Sequence, residues 1–203
     1  MVLKVALDGI ALITGKQELM FVKAGGGIGR ETAFSLAEAG VRAIMFADIN
    51  EAAMTEAVEL SKIYATHPDY QAIAFKLDVT NADAVQDLVE STVKTFGRLD
   101  YAINGAGVDN GTYAPVAESS PEDFSKVMSV NSTGLMLCVR AELKAMQLQD
   151  PKSYTSRSGT RDIGRGVIIN IASANSFAGL PGKMAYTVSK HAVLGITKMA
   201  GKY

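Results

Sequence analysis

Apolar residues occur in short runs, separated by longer stretches in which they recur every three or four positions. Residues 9–14 (GIALIT) are the first run, β-branched at isoleucine and threonine, which predicts a buried strand. Residues 28–39 follow with Phe34, Leu36 and Ala37 at helical spacing and Gly40 as a stop. Residues 41–47 (VRAIMFA) predict the next strand, and Asn50 caps a helix to about residue 65, closed by His67-Pro68. The alternation repeats with a strand over 72–77, a helix from the cap Asn81 to Phe96, and a strand over 99–103. Pro121-Glu122-Asp123 opens a long helix to about residue 148, residues 167–172 (VIINIA) form another strand, and a last helix spans about 183–199. The polar segment 150–166 predicts a surface loop.

Strands apolar on both faces and separated by helices predict a parallel sheet covered on both sides. Right-handed crossovers then give an α/β, doubly wound, Rossmann-type fold. No short-period repeat and no linker divides the chain, so residues 1–203 are expected to form one domain.

Composition narrows the function. Hydrophobic residues make up 48% and charged residues 20%, ordinary for a globular protein. Twenty basic against 21 acidic side chains give a net charge of −1 and no electrostatic basis for nucleic-acid binding. No apolar run approaches a membrane span, and Lys4 and Asp8 break any signal-peptide core. The single cysteine, Cys138, allows no internal disulfide. A cytoplasmic protein without a membrane partner is expected. Neither His67 nor His191 has a companion at metal-ligand spacing, so no metal site is expected.

Gly27-Ile28-Gly29 ahead of an apolar helix allows a pyrophosphate to approach backbone N–H groups and the positive end of the helix. Asp48 closes the second strand 19 residues after Gly29, where a carboxylate can accept bonds from an adenosine ribose. It would repel a 2′-phosphate, which favours NAD; Arg30, Arg42 and Lys23 keep NADP open. Tyr186 and Lys190, four apart, share a helix face. A cation beside a phenol favours the phenolate, and such a tyrosine can exchange a proton with a carbonyl or alcohol oxygen. Taken alone, the pair also fits a half-buried tyrosine next to a solvated lysine. Ser173 changes the balance, since it ends the VIINIAS strand and precedes Tyr186 by 13 residues.

With these residues in place, the chain resembles the classical short-chain dehydrogenase/reductase family. The matching pieces are TG…AGGGIG, Asp48, LDVT (77–80), NGAG (104–107), VNSTG (130–134), NIAS (170–173) and AYTVSKHAV (185–193). The resemblance implies an oxidoreductase that interconverts a secondary alcohol and a ketone by hydride transfer with NAD or NADP. It makes Tyr186 the general acid/base, and Lys190 the group that binds the nicotinamide ribose and lowers the tyrosine pKa. Ser173 would hydrogen-bond the substrate oxygen, and Asn131 would hold a water that relays protons to solvent. Thr14, Gly15, Gly25, Gly27, Ile28 and Gly29 would form the phosphate turn, with Asp48 on the ribose. Asp78 and Val79 would flank the adenine, while Asn104, Ala106 and Gly107 would line the adenosine side. The family's second asparagine in Asn-Asn-Ala-Gly is Gly105 here. The long helix ending near residue 148 and the last helix would form a homo-oligomer interface.

Two departures bear on activity. Residues 16–23 (KQELMFVK) separate Thr14-Gly15 from Ala24, where the family has a tight turn. Either GIALIT remains the central strand and the insertion loops out, or the register slides and residues 19–22 (LMFV) become the strand, with GIALIT displaced. In either case cofactor affinity is expected to fall. The chain also stops at Tyr203, where the family continues. The resemblance therefore implies a C-terminally short domain, with VIINIA as an unpaired edge and Val193, Leu194 and Ile196 lacking cover. The competing expectation is a catalytically impaired member acting as a binding or dimerising scaffold.

Overall fold

The computed structural model describes residues 7–15, 27–110 and 113–202. The inserted segment 16–23 and Gly25 lie outside the described residues.

Five parallel strands form the main sheet: β1 (Ile10–Gly15), β2 (Ala43–Asp48), β3 (Gln71–Lys76), β4 (Tyr101–Gly105) and β7 (Val167–Asn170). Their spatial order is β3-β2-β1-β4-β7. GIALIT therefore occupies the middle of the sheet, with Ile13 paired to Phe46 on one side and Ile103 on the other. The register slide is excluded. The physical reason is burial: Ile10, Ala11, Leu12 and Ile13 are each at most 3% exposed and feed the clusters on both faces.

Helices α1 (Ile28–Ala39), α2 (Glu51–Tyr64) and α3 (Ala82–Phe96) make the crossovers. Asn50 caps α2 by accepting from Ala53 N, and Asn81 caps α3 by accepting from Asp83 N and Ala84 N. These side chains satisfy backbone donors that a helix start leaves unpaired. Gly40 and Gly97 end α1 and α3 with positive φ of 97° and 89°, a conformation open to glycine at little steric cost.

The predicted long helix has three parts: α4 (Pro121–Met128), a π-helical stretch Ser129–Gly134, and α5 (Leu135–Leu148). The widened turn rotates the residues after it and directs Asn131 inward. Segment 150–166, expected to be a loop, instead folds into an antiparallel hairpin of β5 (Lys152–Ser156) and β6 (Gly159–Gly164). It was invisible to apolar alternation because it buries almost nothing and both strands are polar. Its base is tied down by Lys152, which bonds Asp8 O at 2.7 Å and lies 3.3 Å from the buried Asp100 carboxylate.

Coverage of the sheet is uneven. β2 is buried throughout and β1 is buried up to Gly15, whereas β3 and β7, at the two ends of the sheet, are largely open. Val193 on α6 (Met184–Ala200) is nevertheless only 2% exposed, contrary to the expectation that it would lack cover. Leu135 and Val139 of α5 pack over it, with Ile196 partly buried beside them.

Candidate active site

The carboxyl ends of β1, β2, β4 and β7 meet where α1 and α6 begin or pass. At the α1 start, Gly27 is the cap and, as a glycine, has no side chain of its own to compete for the helix N–H groups. A β-carbon at Gly15 would stand 3.9 Å from Gly29 Cα, so the end of β1 and the first turn of α1 approach backbone to backbone. Ile13, Gly15, Gly29, Arg30 and Asp48 line one crevice. Asp48 is 6% exposed, and its Oδ1 accepts from Asn50 N at 2.9 Å, so it also braces the α2 cap. Arg30 shares this crevice and lies over the Phe34 ring at 5.7 Å.

The other expected adenosine-side residues divide. Ala106 and Gly107 follow β4 directly and are half-buried. Asn104 faces the interior: its Nδ2 donates to Glu142 Oε2 at 2.9 Å and to Asn170 Oδ1 at 3.0 Å. Thr14 Oγ1 donates to Asn104 Oδ1 at 3.4 Å, so the threonine hydroxyl also turns toward β4. The cause is where β4 ends: it runs to Gly105, so Asn104 is still within the ladder. β4 runs two residues later than the pattern suggested, which puts Asn104 on the same strand face as Ala102, toward α5. Gly105 has its own steric reason, since a β-carbon there would be 2.9 Å from Thr14 O. Asp78 is exposed and accepts from Thr80 N and Oγ1, while the Val79 side chain is packed in the core.

Around Gly107 several of the expected catalytic side chains gather. A β-carbon at this position would lie 3.3 Å from Asn131 Oδ1 and 3.9 Å from Lys190 Nζ. Lys190, on α6, donates to Ile171 O at 2.8 Å, just beyond β7. Burial holds its ammonium below the ordinary lysine range. Its Nζ is 5.7 Å from the centroid of the Tyr186 ring one turn earlier. Asn131 accepts from Val108 N at 2.8 Å and donates to Val108 O at 2.8 Å and Ser189 Oγ at 3.0 Å. Its side chain is therefore a clamp joining the π-helical stretch, the end of β4 and α6. Ser189 has no counterpart among the motifs, since a lone serine inside a helix carries no signal of its own.

Ser173 begins a short 3-10 turn, Ala174–Ser176; its Oγ accepts from Asn175 N at 3.2 Å. Asn175 Nδ2 in turn donates to Thr187 Oγ1 at 3.2 Å, which fastens the serine turn beside Tyr186. Tyr186 is half-buried. The structure thus brings together Asn131, Tyr186 and Lys190, with Ser173 on a turn bonded to the residue after the tyrosine.

Elsewhere, Cys138 is core, and burial pushes its thiol up. His67 Nδ1 accepts from Asp69 N in a turn, and His191 Nδ1 meets Thr187 O. Among the described residues no group of three or more His, Cys, Asp or Glu side chains could hold a metal, and no helix is long and apolar enough to cross a membrane.

A sequence profile for short chain dehydrogenases matches residues 10–202, and the chain belongs to that family of oxidoreductases. A short-chain dehydrogenase of Neurospora crassa, srdC, is 41% identical over 181 residues, covering 89% of this chain and 66% of that protein. Another, anuF of Penicillium roqueforti, is 34% identical over 194 residues, covering 96% of this chain and 67% of its own length. The chain therefore spans about two thirds of the length of these relatives. Among solved structures, an NAD+-bound xylitol dehydrogenase superposes with a TM-score of 0.74 at 31% identity, covering 94% of this chain and 63% of that one. Levodione reductase gives a TM-score of 0.73 at 30% identity, covering 96% of this chain and 66% of its own.

Proposed function

We propose that this chain carries the cofactor cleft and proton-transfer machinery of an NAD(P)-dependent oxidoreductase acting between a secondary alcohol and a ketone. The observation that carries this reading is the convergence of Lys190 Nζ and Asn131 Oδ1 on Gly107, with the Tyr186 ring beside the same ammonium. The crevice between Gly15, Gly29 and Asp48 fits a dinucleotide: it has close-approach backbone, a helix start without a competing cap, and a buried carboxylate. Asp48 favours NAD, and Arg30 in the same crevice is the group that would accommodate NADP.

When bound, the nicotinamide supplies or accepts the hydride. The chain's own residues handle the proton and the geometry. Tyr186 gives its phenolic proton to the carbonyl oxygen, or takes one from the alcohol. Lys190 places positive charge where negative charge develops on the phenol, and Ile171 O fixes the ammonium in position. Ser173 donates to the same substrate oxygen, while the Asn131 clamp keeps the end of β4 and α6 at a fixed spacing. A cytoplasmic location accords with a lone buried cysteine.

A second reading, a dimerising scaffold without turnover, draws on the apolar groove between α5 and α6, where Met136, Leu143, Ile196 and Met199 line a face. Calorimetry separates the two. Micromolar NADH binding, with turnover lost in a folded Tyr186→Phe variant, is the expected result. No binding at millimolar cofactor, or full turnover in that variant, overturns the redox reading.

A further inference from the structure

Lys183 is the cap residue of α6, three positions before Tyr186, and its side chain makes no capping bond. A cation at this end opposes the helix dipole, and the residue is only 9% exposed. Both features are unfavourable for a lysine unless it is paired. Its Nζ meets Asp109 Oδ2, lies 4.6 Å from the centroid of the Tyr113 ring and lies 5.5 Å from that of Tyr186. Lys190 approaches the same tyrosine at 5.7 Å from one turn farther along. Two ammonium groups thus lie at nearly equal distance from the ring centroid. The segment after β4 is fastened at the same place, because Asn110 Nδ2 donates to Gly182 O at 3.1 Å. Gly182 has a φ of 78°, and a β-carbon there would be 2.9 Å from Tyr113 Cβ, so the contact is close-packed.

We infer that Lys183 is a positioning residue for Tyr186: it places a second cation near the ring and couples it, through Asp109 and Tyr113, to the segment that follows β4. This rests on the reading of Tyr186 as the acid/base group. Burial works against the Lys183 charge, but the bonds to Asp109 and Tyr113 hold it above the ordinary lysine range, so it stays cationic. Among the described residues, Asp123 of α4 is also brought near, since it shares a crevice with Gly182, Met184 and Ala185. The π-helical stretch contributes Asn131 and the 3-10 turn contributes Ser173 and Asn175, none of them charged. Asp109 and Lys183 act on the phenol with opposite sign, and this gives the test its direction. Removing the lysine leaves an anion beside the ring, whereas removing the aspartate leaves an unscreened cation.

The experiment compares Lys183→Met, Lys183→Arg and Asp109→Asn with the unmodified chain. The phenolate ultraviolet difference signal is recorded against pH without substrate or cofactor, with Tyr186→Phe as blank. Lys183→Met should move the Tyr186 signal upward by roughly one pH unit, and Asp109→Asn should move it downward by a similar amount. Lys183→Arg should restore it to within a few tenths of a unit. The acid limb of the pH–rate profile for alcohol oxidation should follow the same order. Equal or same-sign movement in Lys183→Met and Asp109→Asn overturns the inference, because lost packing has no such sign. The ultraviolet titration needs no turnover, so its failure is distinguishable from failure of the redox reading, which Tyr186→Phe kinetics test separately.

Discussion

Replacing Glu142 with glutamine should remove a pH-dependent loss of stability that the native chain carries. Glu142 projects from α5 into the core, is 1% exposed, and among the described residues accepts one hydrogen bond, from Asn104 Nδ2. Burial raises its carboxyl from 4.5 to about 7, only partly offset by that bond. Below pH 4.5 the group is protonated in both folded and unfolded chains, and the contribution is constant. Between 4.5 and about 7 only the unfolded chain ionises, so stability falls as pH rises. Above about 7 both states are ionised and the loss is complete. At about 1.4 kcal/mol per pH unit, the span amounts to about 3 kcal/mol. Glutamine has the same shape and can still accept from Asn104 through Oε1, but carries no charge. Urea unfolding followed by circular dichroism should find the two proteins within about 1 kcal/mol at about pH 5. At about pH 8 the Glu142→Gln chain should be more stable by up to about 3 kcal/mol. Parallel stability curves across this range, or a variant that is weaker at the higher pH, would refute the reasoning.

Two further outcomes follow from the packing. Gly107→Ala places a methyl 3.3 Å from Asn131 Oδ1 and beside Lys190 Nζ, so steady-state kinetics should show kcat reduced several-fold while the melting temperature changes little. An unchanged kcat would mean that Gly107 does not set the spacing of these groups. Asp100→Ala strips a 3%-exposed carboxylate from Ile10 N, Arg98 and Lys152 at once, leaving a buried donor unbonded and two partly buried cations without their counter-charge. Chemical denaturation should show a loss of about 3–5 kcal/mol, and a loss below about 1 kcal/mol would show that water replaces the carboxylate.

Much of this architecture is legible from residue order. Asn50 and Asn81 announce helix starts because a short polar side chain before an apolar-periodic segment has few other uses, and both cap as expected. The bounds of α1 follow from Ile28, Gly40 and the spacing between them. The π-helical stretch escapes such reading, since one extra residue in a turn barely disturbs a 3.6-residue period over so short a span. The same irregularity aims Asn131, so its bonds to Val108 and Ser189 could not be foreseen from spacing. Asn104 lies deeper than its place in the NGAG stretch suggests for a related reason. A two-residue shift in where β4 ends moves its last residues from the cleft into the ladder with Thr14 and Asn170. The Lys183–Asp109 pair joins residues 74 apart in sequence, and only the fold makes them neighbours.

Among the described residues the β5–β6 hairpin pairs with no other strand, and its turn at Arg157 and Ser158 is solvent-exposed. Its attachment lies at the base, through Lys152. A projection built this way can be lengthened, relabelled or exchanged without disturbing the layers beneath it. It is a natural grafting point for a fluorophore or an affinity handle that would report on the enzyme from outside.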